Sequence, residues 1–173
     1  LSTRGIELRS HPVMLDINSS LAGLKGVRNG IQFDTDLLGA FHVAGSGAGR
    51  ESTASGLISD LHALSKSNEV SPMNYPDFSN KPNILNFNDL TFKFYVYLEV
   101  KDEPGVLALI SKTFADHNIS FDKVIQKDQL QNGSVPLVIF TDPTIESEMQ
   151  IALEGLADHP EVLNSKIIRI EDL

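Results

Sequence analysis

A glycine-rich segment, Gly45-Ser46-Gly47-Ala48-Gly49, directly precedes a stretch whose apolar residues recur at helical spacing. Such a loop lets backbone N–H groups and the positive end of a helix approach an anion closely. A dinucleotide-binding fingerprint starting at Gly45 requires glycine at position 50, where Arg50 stands, and a P-loop requires Gly-Lys-Ser/Thr after the loop. Two interpretations stay open: contact with an anion or cofactor, and a tight strand-to-helix turn that needs glycine for steric reasons.

A second candidate site is the segment Asp102-Glu103-Pro104-Gly105, between a predicted strand and a predicted helix. Acidic residues and proline are typical of the first turn of a helix, and this role alone explains their presence. In the functional alternative, Gly105 and Val106 present backbone N–H groups to the carboxylate of a small ligand, and a nearby acid or amide accepts its ammonium. Asn118, at the far end of the same helix, is either a second ligand contact or a C-cap.

Other catalytic arrangements are poorly supported. The five histidines are not spaced like a metal-binding pair on one helix, and the chain has no cysteine. The segment Gly45-Ser46-Gly47 is only part of a nucleophile elbow. The close carboxylate pairs Asp34/Asp36 and Glu146/Glu148 suit a turn and an exposed helix start. We therefore expect no catalytic residue and no metal site in this chain.

The composition favours a globular protein that binds neither nucleic acid nor membranes. Apolar residues make up 41% of the 173 residues and charged residues 21%, and the net charge is −9. An acidic balance disfavours nucleic acid and anionic lipid as partners, since both require a basic surface. No apolar run reaches the ~18 residues of a membrane-spanning helix. The chain starts without Met or a secretory leader, so we expect a cytoplasmic protein and a piece of a longer chain.

The second half alternates strands and helices in the order β-α-β-β-α-β. This order is typical of the split-βαβ, or ferredoxin-like, arrangement, in which two helices cover one face of a four-stranded antiparallel sheet. The open face and the edge strand favour pairing with a second copy. The predicted elements are strands at 92–100, 119–126, 135–141 and 166–170, a helix from Pro104 to about Asn118, and a helix from Asp142-Pro143 onward.

The first half has fewer signals. Two strands, Gly30 to Phe33 and Leu38 to Val43, flank a predicted turn at Asp34-Thr35-Asp36. After the glycine segment, a helix is predicted with Ser52 or Thr53 as its N-cap. Residues 65–89, rich in Asn, Ser and Pro, have the composition of a linker.

The second half resembles the ACT domain, a small amino-acid-sensing module. The resemblance is carried by residues 98–108, Leu-Glu-Val-Lys-Asp-Glu-Pro-Gly-Val-Leu-Ala, and by Asn118-Ile119-Ser120. It implies an effector site, commonly at an interface between two modules, and a homodimer formed through these modules. The residues to which it assigns effector contact are Asp102, Gly105, Val106, Asn118 and Ile119.

The first half resembles the end of the catalytic region of homoserine dehydrogenase. The matching segments are Arg9-Ser10-His11-Pro12, residues 21–30, the glycine segment, Thr53-Ala54-Ser55 and Asp60. The resemblance implies that Gly45, Gly47, Ala48 and Gly49 contact the NAD(P) cofactor in the intact enzyme. The family often has proline where this chain has Ser46 and Ser52. The dinucleotide fold and the catalytic lysine would lie upstream of Leu1, so we expect this chain alone to bind no cofactor and to be inactive.

Together the two resemblances predict an α+β chain with three parts. Residues 1–67 would be an α/β fragment of the catalytic domain, 68–90 a linker, and 91–173 a ferredoxin-like ACT domain. The parent enzyme would interconvert homoserine and aspartate semialdehyde with NAD(P), and threonine is the effector that the family suggests. The alternative is a non-enzymatic ACT sensor, or a dimerisation module of another protein.

Overall fold

The chain forms two compact units in a computed structural model that describes residues 5–66 and 83–171. The first unit contains the described residues from Leu15 to Lys66. The second contains the described residues up to Met14 together with residues 83–171. The second unit therefore includes residues that precede residue 15. The predicted division of the chain at residue 67 places those residues in the first part.

The described residues contain eight strands and three α-helices, and from β4 onward they follow the predicted β-α-β-β-α-β order with one extra two-residue strand, β7, before the second helix. Their bounds are β1 (Val13–Leu15), β2 (Arg28–Thr35), β3 (Gly39–Ser46), α1 (Arg50–Lys66), β4 (Thr91–Lys101), α2 (Val106–Asp116), β5 (Phe121–Gln126), β6 (Ser134–Thr141), β7 (Thr144–Ile145), α3 (Glu146–Ala157) and β8 (Val162–Glu171). None of the helices in these described ranges is long and apolar enough to cross a membrane.

The sheet of the second unit runs in the order β1-β8-β4-β6-β5, and β7 pairs with one end of β4. The pairs β4–β8, β4–β6 and β5–β6 are antiparallel, as expected for a split-βαβ arrangement. The predicted hairpin between β5 and β6 is confirmed, with Asn132-Gly133 in the connecting turn. β5 forms a free edge of this sheet.

Buried and half-buried side chains alternate along β4, and the buried ones form the centre of the core. Phe94, Val96 and Leu98 are fully buried, while the side chains between them are half-buried on the opposite face. Both helices pack on the buried face, to which they contribute Val106, Ile110, Phe114, Met149, Ala152 and Leu156. The apolar residues of α3 thus face the core, whereas Ile145, just before this helix, is 45% exposed.

Three of the predicted boundaries that are wrong have a clear physical cause. The helix expected from Asp142-Pro143 begins at Glu146, because Thr144 and Ile145 first pair with β4 and the Glu146 N–H donates to the Leu90 carbonyl at 2.9 Å. The strand expected at 166–170 extends over Val162–Glu171, since it follows β4 along most of its length.

The third wrong boundary is the start of α1, which lies at Arg50 rather than after an N-cap at Ser52 or Thr53. The Ser52 hydroxyl instead donates back to the Gly49 carbonyl at 3.0 Å.

Two segments of the second unit, residues 5–11 and 83–90, are joined in parallel. The Ile6 N–H donates to the Asn83 carbonyl at 2.7 Å, and the Leu85 N–H donates to the Ile6 carbonyl at 2.9 Å. The His11 ring then packs edge-on against Phe87 and Phe92 at centroid distances of 5.8 and 5.9 Å. The predicted linker at 65–90 lies largely outside the described residues. Its last part, residues 83–90, is held to the rest of the second unit by these hydrogen bonds and ring contacts.

The first unit is built on the β2–β3 hairpin. Phe33 and Phe41 face each other in its register, with ring centroids 4.9 Å apart. The turn lies at residues 36–38, slightly later than the predicted turn. α1 buries none of its side chains, and its apolar residues are more than half exposed: Leu57, Ile58, Leu61 and Leu64. This unit therefore exposes apolar surface along α1.

Candidate functional site

A concave site of the second unit lies where β4 passes into α2. It is a cavity of about 490 Å³, within the usual range for small-ligand sites. Asp102, Gly105 and Val106, three of the five predicted effector residues, line it together with neighbouring residues of β4, α2, β5 and β6.

The loop before α2 owes its shape to glycine. Gly105 has φ 97°, in the left-handed region, and a Cβ there would be strained. Pro104 therefore lies before the helix rather than inside its first turn, where it was expected, and α2 begins at Val106. The Val106 N–H is directed to the Glu103 carbonyl at 3.3 Å. The first N–H groups of a helix have no acceptor within the helix, so this end of α2 favours an anion.

The cavity has an apolar floor and a charged rim. Five aliphatic side chains from β4, α2 and β6 form the floor, and each is at most 6% exposed: Val100, Val106, Ile110, Val135 and Leu137. The rim carries Lys101, Asp102, Glu103 and Gln126. The site can therefore bury an apolar group while it offers charges of both signs at its mouth.

Asn118 and Ile119, the other two predicted effector residues, lie at the opposite end of α2. The eleven-residue helix separates them from Gly105 by about 17 Å at 1.5 Å per residue. Asn118 has φ 57°, and its N–H donates to the Ala115 carbonyl at 3.0 Å, while the Ile119 N–H donates to the Phe114 carbonyl at 3.0 Å. These bonds form a Schellman motif with Asn118 in the left-handed position, which is the structural alternative given for this residue.

The glycine segment forms a shallow hollow of about 350 Å³ at the start of α1. Of the predicted cofactor-contact residues, Ala48 and Gly49 line it, together with Ser46, Arg50, Glu51 and Ser52. Gly45 and Gly47 do not. A Cβ on Gly47 would overlap the Asn29 side chain, and the Gly47 N–H donates to the Val27 carbonyl at 2.7 Å. A side chain at position 47 would therefore require the Asn29 side chain to move.

Two polar clusters could not be predicted from the sequence pattern. On the sheet face away from the helices, the Glu99 carboxylate accepts hydrogen bonds from Ser134 Oγ at 2.6 Å and Asn132 Nδ2 at 2.8 Å. These bonds lower the pKa of Glu99, the Ser134 bond most, because they stabilise the ionised form. The residues are distant in sequence, so only the strand register brings them together.

The second cluster is a buried ion pair. The Arg169 guanidinium binds both carboxylate oxygens of Glu146, with Nε to Oε2 at 2.7 Å, and Gln150 Nε2 donates to Oε1 at 2.8 Å. The guanidinium also lies 4.9 Å above the centre of the Phe87 ring. Only 2% of the Glu146 side chain is exposed. Nothing in the sequence marks Glu146 as buried, because an acidic helix start is normally exposed.

Metal-ligand geometry is not found in residues 5–66 and 83–171, where no three His, Asp or Glu side chains gather. His117 Nδ1 lies 3.0 Å from Glu148 Oε2, so this histidine connects the end of α2 to α3.

Comparison with known proteins gives consistent matches. Residues 1–62 match the family model of homoserine dehydrogenase. The homoserine dehydrogenase of Helicobacter pylori is 33% identical over 168 residues, which cover 96% of this chain and 40% of the relative. That of Neisseria gonorrhoeae is 30% identical over 160 residues, covering 88% of this chain and 37% of the relative. The crystal structure of a homoserine dehydrogenase from Thiobacillus denitrificans superposes with TM-score 0.82 at 29% identity, covering 99% of this chain and 40% of that one.

Fold and matches together describe a mixed α/β chain that is similar to part of the homoserine dehydrogenases. The chain is homologous to the homoserine dehydrogenases over nearly all of its length, and it spans about two fifths of the relatives that it matches. The family resemblance found in the sequence is thereby confirmed.

Proposed function

We propose that this chain is the carboxy-terminal, regulatory portion of a homoserine dehydrogenase. Its first unit, with residues up to about 67, would complete the catalytic domain, and its second would be an ACT module that binds an amino-acid effector. The whole enzyme would interconvert homoserine and aspartate semialdehyde with NAD(P). The main support for the regulatory part is the cavity of about 490 Å³ at the start of α2, built from three of the residues that the ACT resemblance nominates.

The cavity offers each group of an amino acid a complementary partner. The α-carboxylate would lie against the amino end of α2, where the helix dipole favours an anion and the N–H groups of Leu107 and Ala108 have no acceptor within the helix. The α-ammonium would pair with Asp102 or Glu103 at the rim. The side chain would then point to the floor. Threonine is the effector that the family resemblance favours.

Asn118 and Ile119 are too far along α2 to contact an effector in this cavity. We propose that they contact an effector held by the cavity of a second module, which agrees with a homodimer. The free edge at β5 adjoins the cavity through Gln126, and the half-buried Tyr95 and Phe140 lie on the open sheet face. Both surfaces suit a second copy.

The glycine segment would contact the cofactor in the intact enzyme. A hollow at the start of α1, edged by Ala48, Gly49 and the cation of Arg50, suits a phosphate or another anionic group. NAD(P) supplies the hydride chemistry when it is bound, and this chain would contribute only contact and orientation. We expect no NAD(P) binding and no dehydrogenase activity from the 173 residues alone, since one short loop cannot hold and orient a dinucleotide.

Calorimetric titration of the chain with individual amino acids tests the regulatory proposal, with sedimentation in parallel to report pairing. We expect saturable binding of at least one amino acid, weakened at least tenfold by Glu103→Gln combined with Asp102→Asn. Glu154→Gln is the matched control, because Glu154 is exposed on α3 and does not line the cavity. No binding of any amino acid by a folded chain would refute the proposal. Equal weakening by the control would refute the assignment of the ammonium partner.

A further inference from the structure

The turn between β5 and β6 contains a chemically labile pair of residues, Asn132-Gly133. In such a pair the Gly133 backbone nitrogen can attack Asn132 Cγ, because glycine has no side chain to hinder the approach. The new N–Cγ bond displaces the side-chain amide as ammonia, which takes up the proton that the backbone nitrogen loses, and a cyclic succinimide remains. Water then opens the ring at either carbonyl, so that aspartate or isoaspartate replaces the asparagine.

The conformation of the turn requires glycine at position 133, so another residue there would not avoid the labile pair without strain. Gly133 has φ 82°, in the left-handed region. The Gly133 N–H donates to the Leu130 carbonyl at 3.0 Å, and the Leu130 N–H donates to the Ser134 carbonyl at 2.8 Å. These bonds close a short hairpin loop that has glycine at its left-handed position. Asn132 itself is exposed, so water reaches it, and any protection must come from its hydrogen bonds.

Hydrogen bonds hold both reacting groups of the pair. Asn132 Oδ1 accepts from the Ser134 N–H at 3.1 Å and lies 2.7 Å from Ser134 Oγ. Asn132 Nδ2 donates to Glu99 Oε1 at 2.8 Å. Attack requires the amide and the Gly133 nitrogen to rotate toward each other, so these bonds and the Gly133 bond to Leu130 must break first, each at a cost. The departing ammonia also needs a proton, which an ionised Glu99 does not carry.

We propose that Asn132 is a deamidation site that the folded chain suppresses, and that Ser134 and Glu99 hold its amide away from the Gly133 nitrogen. Modification would place a second carboxylate beside Glu99, within hydrogen-bond distance. Like charges at this separation repel each other, so the modified turn would hold less firmly to β4. The polar cluster on the sheet face away from the helices thus has a protective role, which is independent of the proposed amino-acid site.

The rate of conversion of Asn132 tests the proposal. The 173-residue chain is incubated at neutral pH, and peptide mapping by mass spectrometry follows the appearance of aspartate and isoaspartate at position 132. The same chain unfolded in urea at the same pH gives the unprotected rate. We expect conversion in the folded chain to be at least tenfold slower. A smaller difference between the folded and unfolded chains overturns the proposal.

Variants of the cluster test which residues give the protection. Ser134→Ala is expected to speed conversion of Asn132 in the folded chain at least threefold, whereas Ser134→Thr, which keeps a hydroxyl group, should convert at close to the unaltered rate. Ser134 is buried, so Glu99→Ala, at a half-buried position, repeats the test should Ser134→Ala fail to fold.

The matched control is Ser111→Ala, because Ser111 is a half-buried serine on α2, outside the turn. Urea unfolding of every variant establishes that it is folded during the incubation. Acceleration confined to the variants of the cluster supports the proposal. Unchanged conversion in the folded cluster variants, or equal acceleration in Ser111→Ala, overturns it.

Discussion

Replacing Arg169 with Met leaves the Glu146 carboxylate buried without a cation. The Glu146 and Arg169 side chains are 2% and 14% exposed, and their bidentate contact is the main compensation for burying the carboxylate. Breaking one side of a buried pair of this kind costs about 3–5 kcal/mol of unfolding free energy. We expect Arg169→Met to lower the unfolding free energy of the second unit by that amount. The variant also loses the contacts of the guanidinium with the rings of Phe87 at 4.9 Å and Phe92 at 5.6 Å.

Urea unfolding followed by far-UV circular dichroism measures this effect. The double variant Arg169→Met/Glu146→Leu replaces both charged side chains with apolar ones of similar size. It should therefore recover most of the unfolding free energy that Arg169→Met loses. Lys112→Met is the matched control, because its i,i+4 pair with Asp116 is 73% and 59% exposed; we expect a change below about 0.5 kcal/mol. A loss under about 1 kcal/mol in Arg169→Met, or a double variant as unstable as the single one, would refute the reasoning.

Three further predictions concern other positions. The lowered pKa of Glu99 stabilises the fold fully above the ordinary pKa of 4.5, and this stability is lost as the pH falls through the lowered pKa. Glu99→Gln should therefore flatten the dependence of the unfolding free energy on pH below 4.5, and an unchanged dependence would contradict the role of Glu99. At Asn118, with φ 57°, Ala should cost about 1–2 kcal/mol and Gly much less in urea unfolding; equal costs would show that conformation is not the cause. Gly47→Ala should lower the thermal midpoint of the first unit by overpacking against Asn29, at a cost of about 1–3 kcal/mol. Adding Asn29→Ala should recover part of that loss, and no recovery would mean that backbone conformation, not the Asn29 side chain, is the cause.

The elements with strong periodicity were predictable. Alternation along residues 92–100 and helical spacing at Val106, Ile110 and Phe114 follow from burial of one face, so β4 and α2 appear where the sequence places them. The start of α3 was not predictable in the same way. Pro143 and the acids that follow it resemble a helix start, but pairing of Thr144 and Ile145 with β4 is a tertiary contact that local pattern does not contain.

The candidate site was only partly predictable for a similar reason. Gly105 and its acidic neighbours are contiguous, so the sequence could indicate the loop, whereas the floor also needs Val135 and Leu137 from a strand about thirty residues away. Asn118 was grouped with that loop through the resemblance, although a straight helix necessarily separates its two ends. The parallel pairing of Ile6 with Ile84 joins residues too distant in sequence to leave a local signal.

Binding of an amino acid at the start of α2 is the central feature of the proposed function. Amide ¹H–¹⁵N spectra of the isotope-labelled chain, recorded during titration with threonine and then with other amino acids, locate the site without any substitution. We predict saturable shifts concentrated at residues 100–110 and at Gln126, Val135 and Leu137, with residues 28–46 of the first unit unaffected. Saturable shifts centred on the first unit, or spectra that stay unchanged with every amino acid, would contradict the account.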